Sequence, residues 1–112
     1  MVVMTFAAIA MIGCFGKKYS GVVIADSKSY EASIFRQNCA ICHGTEGSGR
    51  SLGDGTVVPS LRQGEFKAVT IDQIYRQIAN GGNGMLSFRD QLTDRELQLM
   101  SRFVHDELRN GH

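Results

Sequence analysis

The chain has 112 residues, enough for one small domain and too few for two. Twelve Lys and Arg against eleven Asp and Glu leave a formal net charge of +1, so no single-sign field exists with which to grip nucleic acid. A domain of this size buries a modest share of its surface, and this one has no Trp and six Phe, so a metal, cofactor or disulfide is expected to supplement its core.

Residues 1–15 are almost all apolar and small. The run is shorter than the ~20 residues of a spanning helix and suits the apolar region of a secretory signal. No Lys or Arg precedes it, and Lys17 and Lys18 follow it, which suits a short anchor instead. Met11-Ile12-Gly13-Cys14 resembles a bacterial lipoprotein signal, in which a small residue precedes a lipidated Cys, with Met11 where Leu is usual. A lipidated Cys14, a cleaved signal and a retained anchor all imply export; the first and last also imply membrane attachment. Residues 16–28 read as a linker whose only apolar run, Val22 to Ala25, is too short to carry weight. Residues 29–112 read as the folded domain.

Ser27 or Ser29 caps a helix that carries Tyr30, Ile34 and Phe35 toward Cys39-Ala40-Ile41-Cys42-His43. That C-x-x-C-H run is the attachment signature of a c-type haem. Two thiols three residues apart on one helical turn can each add to a haem vinyl group, forming two thioether bonds. The adjacent imidazole of His43 then projects at the porphyrin face as the proximal iron ligand. A single covalent haem would also supply the large apolar body that the composition lacks. Two rival meanings fail. A thioredoxin-like redox pair needs a βαβ context, and no strand pattern precedes Cys39. A structural zinc site needs further ligands at finger-like spacing, and His105 and His112 are too distant.

From Gly44 to Gly64 periodicity disappears into a glycine-punctuated loop, of the kind that wraps a ligand. It is not a phosphate loop, because it lacks the G-K-[S/T] ending and a preceding strand. Thr70-Ile71-Asp72-Gln73 is a capping box, and Ile71, Ile74, Tyr75, Ile78 and Ala79 form a helical stripe ended by Asn80-Gly81-Gly82. Thr93-Asp94-Arg95-Glu96 is a second capping box, opening a last helix with Leu97, Met100, Phe103, Val104 and Leu108 on one face. No segment shows strand alternation, so the fold class is all-α with long loops.

A second axial ligand must come from the other side of the iron. Met1, Met4 and Met11 lie in the leader and Met100 sits on an apolar stripe, which leaves Met85, in a glycine-rich loop between two helices. The alternative is a loop methionine filling a gap. His105, beside Asp106 and Glu107, reads as a solvated surface residue rather than a ligand. Pro59 is either an ordinary turn proline or the carbonyl acceptor for the His43 Nδ1–H, with Leu61 then covering a haem face. Arg62 and Arg76 are candidate partners for the haem propionates, or simply exposed arginines.

With the C-x-x-C-H run, the glycine-rich loop, Pro59-Ser60-Leu61, Met85 and the closing helix in this order, residues 29–110 resemble the class I (mono-haem) cytochromes c. The resemblance implies that the first and last helices cross with an aromatic from each, here Phe35 and Phe103. It also favours the Pro59 carbonyl as the group orienting His43, and Met85 as the distal ligand. Two positions depart from the family: Glu31, with Ala32 next, stands where a glycine is frequent, and Leu86 follows Met85 in place of proline. Without that fixed φ the methionine loop is expected to be looser.

The function expected is extracytoplasmic one-electron transfer between redox proteins of a respiratory or dehydrogenase chain, with His/Met ligation, no catalytic residues and no nucleic-acid partner. The rival is a haem-based small-ligand sensor or peroxidase-like enzyme whose distal position is open.

Overall fold

The computed structural model describes residues 21–110; the expected leader with Cys14 lies outside the described residues. Four helices follow the sequence signals: α1 (Tyr30–Asn38), α2 (Ala40–His43), α3 (Ile71–Asn80) and α4 (Asp94–Arg102), the last continuing as a π-helical segment over Phe103–Arg109. Of the two candidate caps for α1, Ser29 is the one used, its side chain accepting from the Ala32 N–H at 3.1 Å. Both capping boxes form: Thr70 with Gln73 opens α3, and Thr93 with Glu96 opens α4.

One small element departs from the all-α expectation. Arg50–Ser51 (β1) pairs antiparallel with Val57–Val58 (β2). Two-residue strands are too short to show alternation, so sequence periodicity could not reveal them. They fold the glycine-rich loop back on itself, and the Leu61 N–H closes it by donating to the Gly47 carbonyl at 2.8 Å.

The core lies where α1, α3, α4 and the π-helical segment meet, with Phe35, Ile74, Ile78, Leu97, Met100, Phe103 and Leu108 buried together. Phe35 and Phe103 meet with ring centroids 6.2 Å apart and planes tilted by 53°, within the centroid range of aromatic pairs and away from the unfavourable face-to-face stack. Ala32 is fully buried while Glu31 is only partly so, which puts the small residue of α1 one place beyond the position that Glu31 fills.

The run Val22 to Ala25 carries far more weight than the sequence reading gave it. Ile24 is fully buried in the core. Its N–H and that of Ala25 donate to the two carboxylate oxygens of Glu46 at 2.7 and 3.0 Å. Arg62 donates to the Val22 carbonyl and Arg36 to those of Ile24 and Ser27. A four-residue run gives no periodicity, and only the buried Glu46 and Arg62, distant in sequence, give it a place to dock.

Candidate haem-binding site

The C-x-x-C-H run sits at a break between two helices. Cys39 is the C-cap of α1 and the N-cap of α2, and its carbonyl accepts from the Cys42 and His43 N–H groups at 3.2 and 2.9 Å. That single turn puts Cys39 and His43 on the wall of one cleft, with Cys42 exposed. The two thiols are free of any disulfide. Burial, reinforced by the neighbouring Cys42, pushes the Cys39 thiol up to about 12. A thiol held protonated in this way is the opposite of an activated redox cysteine. Among the described residues no group of three or more His, Cys, Asp or Glu is gathered where it could hold a metal ion.

His43 is lined up for a softer task. Burial lowers its pKa and keeps the imidazole neutral, the form that ligates metal. Its Nδ1 is buried without a hydrogen-bond partner. The bond from this nitrogen to the Pro59 carbonyl, considered from the sequence, is therefore not made here, and Pro59 itself is exposed. The backbone around Pro59 is nevertheless pressed against the loop that follows His43. The Gly49 N–H donates to the His43 carbonyl at 2.8 Å, and a Cβ on Gly49 would lie 2.4 Å from the Val58 oxygen and 2.9 Å from the Pro59 carbonyl carbon. Only glycine permits that approach.

Met85 borders the same cleft. It closes a tight turn in which Gly82 and Met85 exchange N–H···O bonds at 2.9 and 3.0 Å, with Asn83 and Gly84 both at positive φ in the middle. Gly81 lets the chain fold back: a Cβ there would lie 2.6 Å from the Met85 carbonyl and 2.7 Å from the Ser87 nitrogen. The Ser87 hydroxyl donates to the Ala79 carbonyl at 2.6 Å and the Phe88 N–H to that of Ile78 at 3.0 Å. These bonds tie the methionine loop to α3 without the proline that Leu86 replaces.

Most of the rest of the wall is apolar: Phe35, Leu61, Ala68, Ile74, Ile78, Met100 and Val104. The space among these groups opens to solvent on one side. Met100 thus combines its expected core role with a place on the wall. His105 is absent from it, paired instead with Asp106 at 2.6 Å. Arg62 is turned away to Glu46 and Arg76 to Asp72, so neither lines the cleft.

Two polar wall residues escaped the sequence reading. Gln77 donates from Nε2 to the Gly82 carbonyl at 3.0 Å and to the Met85 sulphur at 3.8 Å. Its spacing from Met85 carries no signal until the turn at 82–85 folds the sulphur back onto α3. Arg109 reaches the cleft from the π-helical end.

The residues present therefore fit a haem iron: a neutral buried imidazole short of a partner, a thioether, two free thiols and apolar walls. Comparison with known proteins agrees. Residues 31–104 match the family described as cytochrome C oxidase, cbb3-type, subunit III. Cytochrome c6 of Leptolyngbya boryana is 31% identical over 78 residues, covering 70% of this chain and 89% of its own. Cytochrome c6 of Gracilaria tenuistipitata var. liui is 32% identical, covering 70% of each chain. Among solved structures, the KustC0563 c-type cytochrome superposes with a TM-score of 0.57 at 28% identity, over 65% of this chain and 90% of that one. Cytochrome c6 of the diatom Phaeodactylum tricornutum gives 0.53 at 27% identity, over 66% and 85%.

The chain belongs to the class I (mono-haem) cytochromes c. Within that class it is a haem electron carrier and not an enzyme.

Proposed function

We propose that the chain is an exported one-electron carrier holding one c-type haem in the cleft between α2, α3 and the last helix. Cys39 and Cys42 would hold it through thioether bonds, and His43 and Met85 would ligate its iron. When bound, the haem supplies the Fe(III)/Fe(II) couple. The chain's own residues do the rest. The neutral imidazole of His43 offers a lone pair, and once the ring is seated the Pro59 carbonyl is its Nδ1–H acceptor. Leu61 and the other apolar wall residues exclude water. Met85, as a soft thioether, favours the reduced metal and so raises the potential. The partners are redox proteins on the extracytoplasmic side, a donor and an acceptor of a respiratory or dehydrogenase chain, docked weakly at the haem edge. Membrane attachment, through the N-terminal segment or a lipidated Cys14, belongs to the same reading.

The observation that carries this proposal is that Cys39, His43 and Met85 border one apolar cleft although Met85 is remote in sequence. Mass analysis of the mature protein and an optical spectrum test it together. A covalent haem with a methionine–iron charge-transfer band in the oxidised state is expected. A high-spin spectrum with rapid carbon monoxide binding after reduction would overturn the carrier in favour of a ligand sensor. Any lipid on Cys14 shows in the same mass.

A further inference from the structure

Among the described residues, Arg109 is the only permanently charged side chain on the wall of the cleft. Its Nε donates to the Leu61 carbonyl at 3.0 Å and its Nη1 to the Ala68 carbonyl at 2.6 Å. Its guanidinium carbon lies 3.7 Å above the Phe66 ring. Among the described residues no carboxylate lies within ion-pair distance of it. Burial alone, with no charged neighbour contributing, holds its pKa below the ordinary arginine value.

This is an unusual place for a cation. A guanidinium has five N–H donors, and the two carbonyls and the ring leave donors unused while contributing no negative charge. A half-buried charge beside apolar walls is costly unless paired. The buried Arg62 observes that rule, fixed on the Glu46 carboxylate. Arg109 is instead pre-organised, its guanidinium held over the Phe66 ring and latched to both ends of the 61–68 loop, at a cleft whose proposed occupant carries carboxylates.

We propose that Arg109 is the partner of a haem propionate, and that its positive charge raises the reduction potential by offsetting the carboxylate that would otherwise favour Fe(III). The inference rests on the carrier reading. It assigns to Arg109 the role that the sequence alone offered to Arg62 and Arg76. A bidentate, charge-assisted pair suits the planar fork of arginine better than the point charge of lysine.

The test compares holoprotein carrying Arg109→Gln or Arg109→Lys with the wild type, by potentiometry and by the propionate-bending bands in resonance Raman. Arg109→Gln is expected to lower the potential and move a propionate band, and Arg109→Lys to restore most of the potential. If Arg109→Gln leaves both unchanged while melting falls, Arg109 is only a latch for the 61–68 loop and the inference is wrong. Should Arg109→Gln fail to give holoprotein, a crystal structure of the wild-type holoprotein decides: a propionate oxygen in hydrogen-bond contact with Arg109 supports the pairing. Covalent haem with His43 and Met85 on iron but both carboxylates remote from Arg109 sinks it and leaves the carrier standing. Iron without those ligands sinks the carrier itself.

Discussion

Met85 and Gln77 show how much chemistry rests on single side chains here. If Met85 is the distal ligand, Met85→Ala removes the only thioether carried by the methionine loop. The iron is then expected to turn high-spin, to bind carbon monoxide on reduction and to fall in potential, all visible by spectroelectrochemistry. Gln77 acts one step further out. Its amide N–H is directed at the Met85 sulphur and, with that sulphur on iron, would draw electron density from the thioether and disfavour Fe(III). Gln77→Leu removes that donor with little change of volume. The expected result is a retained methionine–iron band with a lowered potential; an unchanged potential would show that the amide serves only the Gly82 carbonyl.

At the scale of elements, the loops are set by a few backbone close approaches and the helices by their caps. Gly81→Ala places a Cβ 2.6 Å from the Met85 carbonyl at a φ of +70°. A loss of more than about 1 kcal/mol is expected in denaturant melts, with a weakened methionine–iron band if Met85 is the ligand, because the clash lies at that residue. The start of α4 is sensitive to acid. The Tyr30 hydroxyl and the Thr93 backbone N–H donate to the Glu96 carboxylate and hold its pKa below the ordinary 4.5. A depressed carboxylate pKa means that the folded state binds the proton more weakly than the unfolded one. Its contribution is therefore complete at neutral pH and is lost as pH falls below about 4.5 and through the lower folded value. Glu96→Gln is expected to flatten the acid limb of the stability–pH curve, measured by urea melts across that range.

For the whole molecule, the buried pair of Glu46 and Arg62 joins three distant stretches: the Val22–Ala25 strap, the loop after the C-x-x-C-H run and the loop beyond Pro59. Removing one partner leaves an uncompensated buried charge, which costs roughly 3–5 kcal/mol. Glu46→Ala is expected to lose about that much in chemical denaturation. It also frees the two strap N–H groups, so amide exchange at Ile24 and Ala25 should quicken. A loss below about 1 kcal/mol would show that water replaces the carboxylate readily.

The helices were legible because their signals are local: two capping boxes, two stripes of period 3.6 and the glycine stop after α3 reappear where the sequence puts them. The pairing of Phe35 with Phe103 was legible through the family resemblance. The hairpin at 50–58 was not, since two-residue strands have no period. The π-helical winding of Phe103–Arg109 was not either, because its end is fixed by contacts from afar: Leu108 against Gly47, and Arg109 on the 61–68 carbonyls.

The sequence by itself determined the C-x-x-C-H run of Cys39, Cys42 and His43, the helical class, the capping and the family, since each is written in residues a few places apart. Only the tertiary structure decided that Met85 shares a cleft with His43, that Gln77 points at its sulphur, and that Arg109 rather than Arg62 or Arg76 borders the site. These are contacts between residues eight to more than forty positions apart. Local spacing cannot encode them; they arise when apolar faces pack and each buried polar group must find a partner.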